Sequence, residues 1–307
     1  MKKSESKLLT NPFFIAVAAL FCCALWGSAT PFIKTGYALM MPEKDVPSTI
    51  LFAGLRFVLA GLMTVLIYCI ARRKFLFPKR ENLKNVAFLS CFQTIIQYLF
   101  FYIGLANTSG VKGTILSASN AFFCLLVASL IFRTEKLSAR KIFACILGFS
   151  GIVVINLQGL DFNMNFTGDA FVIFSAISAA VASVLVKRFS EKEDPVVLSG
   201  YQFIFGGIVM IVVGLLIGGH ITVGSLSAVA VLIYLGFLSA AAFTLWGLLL
   251  AKNPVSKVTV YHFTVPVFGV VLSNLMLTEQ SNVPTLNLII TLVLISSGIL
   301  ILNVKKD

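Results

Sequence analysis

The sequence predicts an all-α integral membrane protein of ten transmembrane helices, arranged as two inverted five-helix repeats. Three observations carry that expectation. Of 307 residues, 58% are hydrophobic and only 12% are charged, where a soluble chain carries about a quarter charged residues. The apolar residues fall into ten runs of about 20, the length needed to cross the hydrocarbon core. One stretch also occurs twice. The first copy opens Ala106-Asn107-Thr108-Ser109, pauses at Thr134-Glu135 and closes Ser150-Gly151-Ile152-Val153-Val154-Ile155-Asn156. The second opens Ala251-Lys252-Asn253-Pro254, pauses at Thr278-Glu279 and closes Ser297-Gly298-Ile299-Leu300-Ile301-Leu302-Asn303. Lys112 and Thr114 in the first match Lys257 and Thr259 in the second. Self-similarity at this scale points to duplication, with repeats at 13–157 and 169–303.

The ten runs are justified in chain order. Span 1 (13–33) follows Lys2, Lys3 and Lys7, and its Gly27-Ser28-Ala29 resembles a signal-peptide cleavage site. The apolar run continues past Pro31 to Ile33, so it reads as a span rather than a cleaved leader. Span 2 (48–70) holds Arg56, the only charge deep inside any span. Arg56 lies nine residues beyond Pro47, about 12–14 Å along a helix. Span 3 (84–106) carries Gln93 and Gln97 one turn apart, with Gly104 on nearly the same face. Span 4 (112–132) carries Ser117 and Asn120, also one turn apart. Span 5 (139–157) completes the first repeat with its Gly-containing last helix. Span 6 (169–187) ends Ala182-Ser183-Val184-Leu185-Val186-Lys187, as span 1 runs through Ser28 and Ala29 towards Lys34. Span 7 (196–217) places Gln202-Phe203 and Gly206-Gly207 where span 2 has Arg56-Phe57 and Ala60-Gly61. Span 8 (226–250) contains Trp246; span 9 (257–277) contains Tyr261, His262 and Pro266; span 10 (285–303) closes the second repeat.

Charge placement sets the orientation. The net charge of +12 does not indicate nucleic-acid binding, because Lys and Arg sit in small groups between apolar runs and not along one face. With the N-terminus cytoplasmic, 20 of the 24 Lys and Arg fall in cytoplasmic segments, and Lys34, Lys44 and Lys112 fall outside. That bias predicts a multi-pass protein of the inner, cytoplasmic membrane with both termini inside. Five spans per repeat then insert in opposite orientations, the plan of carriers that bind substrate near the midplane. All six cysteines lie within apolar runs and read as packing residues.

The residues also carry a family resemblance. Leu25-Trp26-Gly27-Ser28 with the later Lys34, Leu55-Arg56-Phe57, and the paired Ala-rich starts, Thr-Glu turns and Gly-rich last helices resemble an EamA-type member of the drug/metabolite transporter superfamily. The resemblance covers nearly the whole chain. It implies a polytopic carrier of small metabolites, often outward and including amino acids. Pro266 fits the family's usual proline in span 9, whereas span 4 has Ser119-Asn120-Ala121 and no proline. Neither Glu135 nor Glu279 follows the glycine that often precedes that glutamate.

A polar group inside a membrane is costly, so each one is informative. Arg56 suits a carboxylate or other anion, and equally suits a structural arginine bonded to backbone carbonyls. Gln93, Gln97 and Asn120 suit either a polar cavity or interhelical hydrogen bonds. Trp26, Trp246 and Tyr261 combine aromatic bodies with polar tips. His262, five residues into span 9 near its cytoplasmic end, is a titratable candidate. These eight are the expected substrate-binding residues. Glu135 and Glu279 read as turn residues, and Lys34 and Lys187 as snorkelling ends. No Asp or Glu lies mid-span; all twelve are terminal or in loops. The sequence has no metal-ligand motif, no Walker sequence and no catalytic cluster, so neither cofactor, metal nor enzyme chemistry is expected. The expected partners are a small-molecule substrate and the bilayer, with homo-oligomers left open. The leading reading is a secondary carrier of amino-acid-like solutes that are neutral, zwitterionic or anionic, working by alternating access and exporting them. The competing readings are a lipid-linked-sugar or nucleotide-sugar carrier and a non-transport scaffold.

Overall fold

A computed structural model describes residues 3–41, 45–157, 165–276 and 284–303. Among them the chain is helical, with no strand. A short helix, Lys3–Thr10, precedes span 1 (Pro12–Met40). Eight more helices are long and apolar enough to cross a membrane: Val46–Arg72, Arg80–Ala106, Gly110–Ile131, Phe166–Phe189, Pro195–Leu216, Leu226–Lys252, Val255–Ser273 and Thr285–Asn303. Span 5, Ala139–Ile155, has 17 residues, the short end of the ~17–25 that a crossing takes. The ten expected spans are thus all present as helices. Lys2, Lys44, Glu279, Lys305 and Lys306 lie outside the described residues.

Sequence explains where these helices start. Asn11, Asp45, Ser109, Ser138, Asn165, Asp194 and Ser225 each precede a span and accept a hydrogen bond from its first amides. Those amides lack intrahelical partners, so an N-cap oxygen satisfies them. Pro12, Pro47 and Pro195 occupy the first turn, where a missing N–H costs nothing.

Close packing is organised around spans 2 and 7, which cross antiparallel. A Cβ on Gly61 would meet Gly200 O at 2.5 Å, and one on Gly207 would meet Val58 N at 2.7 Å. Backbones approach this closely in membranes only where both surfaces are small. At the crossing the rings of Phe57 and Phe203 stack, with centroids 5.1 Å apart and planes 5° apart. Span 1 packs on spans 8 and 9, span 3 on span 6, and span 5 on span 10.

Among the described residues four spans are not continuous α-helices; span 6 opens with a π segment, Phe166–Ala170, ahead of Phe171–Phe189. Span 3 carries a π segment, Cys91–Ile96. Span 4 breaks at Ser119 between Gly110–Ala118 and Asn120–Leu126, and ends in a π segment, Val127–Ile131. Span 9 passes from Val255–Thr259 through a 3-10 segment, Val260–Thr264, into Val265–Met276. Pro266 explains the last break, because it offers no N–H to the carbonyl four residues back. That carbonyl, on His262, is taken instead by the amide of Val265.

One acidic residue at a span terminus is enclosed by donors. Asp169 opens span 6 yet is fully buried, and it pairs with Lys112 at 2.8 Å. Thr108 Oγ1 and the amide of Asn165 donate to the same carboxylate. The ring of donors makes burial tolerable, and joins the start of span 4 to the start of span 6.

Candidate functional site

Arg56 sits where span 2 approaches span 8. It is 3% exposed. Its Nε donates to Ser239 Oγ at 2.9 Å, while Ser239 donates its own proton to Leu235 O. Ser239 is the only hydrogen-bond partner of Arg56 among the described residues, and no ion pair among them includes it. The guanidinium lies 5.3 Å from the Phe57 ring centroid. Tyr37, Tyr98 and Tyr102 stand within electrostatic reach. A buried cation with most of its five donors uncommitted is poised to take an oxyanion in the two-point geometry that guanidinium favours.

From Phe57 a line of rings leads across the bundle. Phe203 stacks on Phe57, and Phe243 meets Phe203 at 5.0 Å and Trp26 at 5.1 Å. Trp26 then meets Trp246 at 4.9 Å and His262 at 5.4 Å. Three expected site residues, from spans 1, 8 and 9, therefore meet. His262 lies deeper than its position near one end of span 9 implied. The reason is its partner: Trp26 is at the centre of span 1, and His262 occupies the 3-10 segment at the break. Tyr261 is 3% exposed and belongs to the core; its carbonyl accepts from Cys23 Sγ and Thr264 Oγ1.

The amides are more dispersed. Gln93 lies buried in the π segment of span 3, and Gln97 is half-buried just after it. Asn120 starts the second segment of span 4 and accepts from Cys124 Sγ at 3.0 Å. Several buried polar atoms find no hydrogen-bond partner among the described residues: Trp26 Nε1, Gln93 Oε1, Ser117 Oγ, Gln202 Nε2 and Thr244 Oγ1. They come from spans 1, 3, 4, 7 and 8, all within about two turns of the middle of their spans. Buried groups are nearly always satisfied; these five, unlike Ser129 Oγ and Asn303 Oδ1 near span ends, are unpartnered in the middle parts of their spans. Ser117, Gln202 and Thr244 were not among the eight expected site residues; Ser117 was noted only as lying one turn from Asn120. For Gln202 the signal was its alignment with Arg56 in the internal repeat; Thr244 had none.

Glu135 is more than a turn residue. Its side chain is largely covered, and Lys141 Nζ donates to it at 2.8 Å. The amide and hydroxyl of Ser256, at the start of span 9, donate to its two oxygens. Burial disfavours its charge, but the hydrogen bonds from Lys141 and Ser256 outweigh that and hold the carboxyl below the usual range. Nearby, Lys187 donates to Asn253 O instead of snorkelling freely.

Two surface hollows include none of these five residues. One of about 290 Å³ is apolar and lies between spans 3 and 6, lined by Phe92, Phe100, Phe174 and Val181 among others. The other, of about 370 Å³, lies at the basic end and is lined by Phe132, Thr134, Lys187, Arg188 and Glu191. Neither includes Arg56 or Trp26.

The sequence model of the EamA-like transporter family matches two stretches of the chain, residues 13–157 and 166–304. An uncharacterized transporter of Archaeoglobus fulgidus is 26% identical over 262 residues, covering 85% of this chain and 89% of the relative. The uncharacterized transporter YvbV of Bacillus subtilis is 25% identical over 296 residues, covering 95% and 92%. A WAT1-related chloroplastic protein of Arabidopsis thaliana is 24% identical, covering 87% of this chain and 67% of its own. A protein of known crystal structure superposes with a TM-score of 0.76 at 16% identity, covering 94% of this chain and 95% of the other. That likeness concerns the fold alone.

Proposed function

The chain belongs to the EamA-like transporter family, and from that premise we propose that it is a secondary carrier of small carboxylate-bearing metabolites. The solute is anionic or zwitterionic, with its carboxylate on Arg56. The observation that carries this reading is the guanidinium itself: 3% exposed, bonded to one hydroxyl, and lacking any carboxylate partner among the described residues. A purely structural arginine at this depth would be expected to spend its donors on backbone carbonyls. The unpartnered atoms of Trp26, Gln93, Ser117, Gln202 and Thr244 supply donors and acceptors for the rest of the solute. With Gln97, Asn120, Trp246, Tyr261 and His262 they make up the proposed binding level.

Two five-helix units, inserted in opposite senses, support alternating access. Span 2 crosses span 7 with Phe57 on Phe203, the residues that the internal repeat aligns. The same alignment would put a pseudo-two-fold axis in the membrane plane between those rings, with Arg56 and Gln202 in equivalent places on its two sides. The protein resides in the cytoplasmic membrane and works in export, with no enzymatic step.

Purified protein in liposomes should move amino acids or related carboxylates in response to a gradient. It should not move quaternary ammonium dyes, because no fixed anion faces the binding level among the described residues. Dye transport comparable to that of carboxylates would overturn the substrate class, and absence of any solute flux would overturn the carrier reading. Orientation has its own check. A reporter fused after Asp307 should be cytoplasmic, and a tag inserted at 42–44 should be reached from outside. The reverse outcome for the C-terminus is incompatible with the placement of the basic residues.

A further inference from the structure

We propose that Glu135 is the latch that closes the basic end of the carrier, by holding the first turn of span 9 against the end of span 4. The inference rests on the carrier reading above. It starts from the two interrupted helices. The second segment of span 4, Asn120–Leu126, packs against the first segments of span 9, Val255–Thr259 and Val260–Thr264. No comparable contact joins the opposite halves, Gly110–Ala118 and Val265–Met276, among the described residues. Spans 4 and 9 therefore meet at the basic end, and that meeting is where access from that side is closed.

Glu135 secures the meeting point. The turn after span 4 does not need its side chain, since the amide and hydroxyl of Thr134 already bond to Ala128 O. The carboxylate is spent elsewhere: one oxygen takes the Ser256 amide at 3.2 Å, and the other takes the Ser256 hydroxyl and Lys141 Nζ. Ser256 belongs to the second family-matching stretch and Glu135 to the first. The carboxylate side chain is 5% exposed while that of Lys141 is 21% exposed, so water reaches the carboxylate little. A closure made of directional hydrogen bonds to one carboxylate can be released in one step, unlike a closure of interlocked apolar side chains. Each of its bonds is charge-assisted, which makes the closed state well defined. Lys187 lies within electrostatic reach of Glu135 and is itself tied to Asn253 O, just ahead of span 9. A release of Glu135 would leave Lys187 on Asn253 O and Lys141 on Lys136 O.

The test uses accessibility and does not require a known substrate. A reporter cysteine replaces Val258, which is fully buried in the latch region; Thr259→Cys serves if the first reporter fails to fold. The full-length protein is reconstituted and labelled with a membrane-impermeant maleimide from the side bearing Arg133 and Lys141. The parent without the reporter gives the background of the native cysteines. In the Glu135→Gln variant the labelling rate should rise about tenfold, the factor that accompanies loss of one charge-assisted bond. Ser256→Ala should raise it by less, and Glu135→Asp should restore part of the protection. Labelling from the opposite side should not rise. An unchanged rate in folded Glu135→Gln protein, or a rise equal on both sides, would overturn the latch and leave a structural tie only. If wild-type protein moves no solute, the carrier reading fails while the labelling still reports whether the latch exists.

Discussion

Arg56→Gln should slow carboxylate transport by tenfold or more while leaving the melting temperature in detergent within a few degrees of wild type. A hydrogen bond to a charged group contributes about 1.5–3 kcal/mol, and about 1.4 kcal/mol is a factor of ten. Taking the two-point guanidinium–carboxylate interaction away from the bound solute therefore costs at least that factor. Glutamine keeps a donor that can reach Ser239 and is close in length, so the packing of span 2 on span 8 survives. Removing the charge also removes the cost of burying it, which further argues against a fall in stability. Arg56→Lys should recover little, because an ammonium cannot offer the planar fork. The alternative role gives the opposite pair of readings. If Arg56 is only structural, Arg56→Gln should lower the melting temperature and membrane yield, and flux per folded molecule should be unchanged. A stable Arg56→Gln protein with wild-type flux would end the anchor reading.

That pair of readings was legible in the sequence because a lone charge in a span has few explanations. The spans were legible for the same reason: apolar runs bounded by Asn, Asp or Ser caps leave little choice of start. The break in span 9 has a local cause in Pro266, since proline removes a helix hydrogen bond wherever it stands. The break at Ser119 had no such signal, because serine is compatible with a continuous helix and only packing interrupts it. The π segment at Cys91–Ile96 was invisible too: an extra residue in a turn changes no composition. Ser239 could not be foreseen as the partner of Arg56, since contacts 183 residues apart follow from tertiary packing and not from local pattern. The burial of Asp169 was not legible for a related reason: Lys112 and Thr108, which close over it, come from the start of span 4. Trp26, Trp246 and His262 were each plausible packing residues in isolation; their meeting in one cluster is a fact of the fold.

Gly61→Val and Gly207→Val should each prevent the protein from being recovered as a folded, monodisperse species, or lower its melting temperature further than Arg56→Gln or Glu135→Gln does. The nearest atom that a Cβ would meet is backbone in each case, Gly200 O at 2.5 Å for Gly61 and Val58 N at 2.7 Å for Gly207, with Ile204 N and Gly54 O at 2.8 Å and the side-chain carbons Ile204 Cγ1 at 2.7 Å and Val58 Cγ2 at 2.8 Å beside them. Helix backbones cannot rotate aside as side chains do, so the two spans must separate. Overpacking of an ordinary core costs about 1–3 kcal/mol, and here the separation also breaks the Phe57–Phe203 stack on which the proposed axis and Arg56 depend. The nature of the obstacle gives a sharper discrimination. Trimming the neighbour, as in Gly61→Val with Ile204→Ala, should not rescue, because the closest atoms remain. At Gly148 the obstacle is the ring of Phe263, a side chain, so Phe263→Leu should largely rescue Gly148→Ala. Gly110→Ala is the control, with nothing within 4 Å of the added carbon; it should be neutral or slightly stabilising at a helix start. Recovery of Gly61→Val by Ile204→Ala, measured as melting temperature and monodisperse yield, would show that side-chain volume and not backbone approach sets the distance between spans 2 and 7.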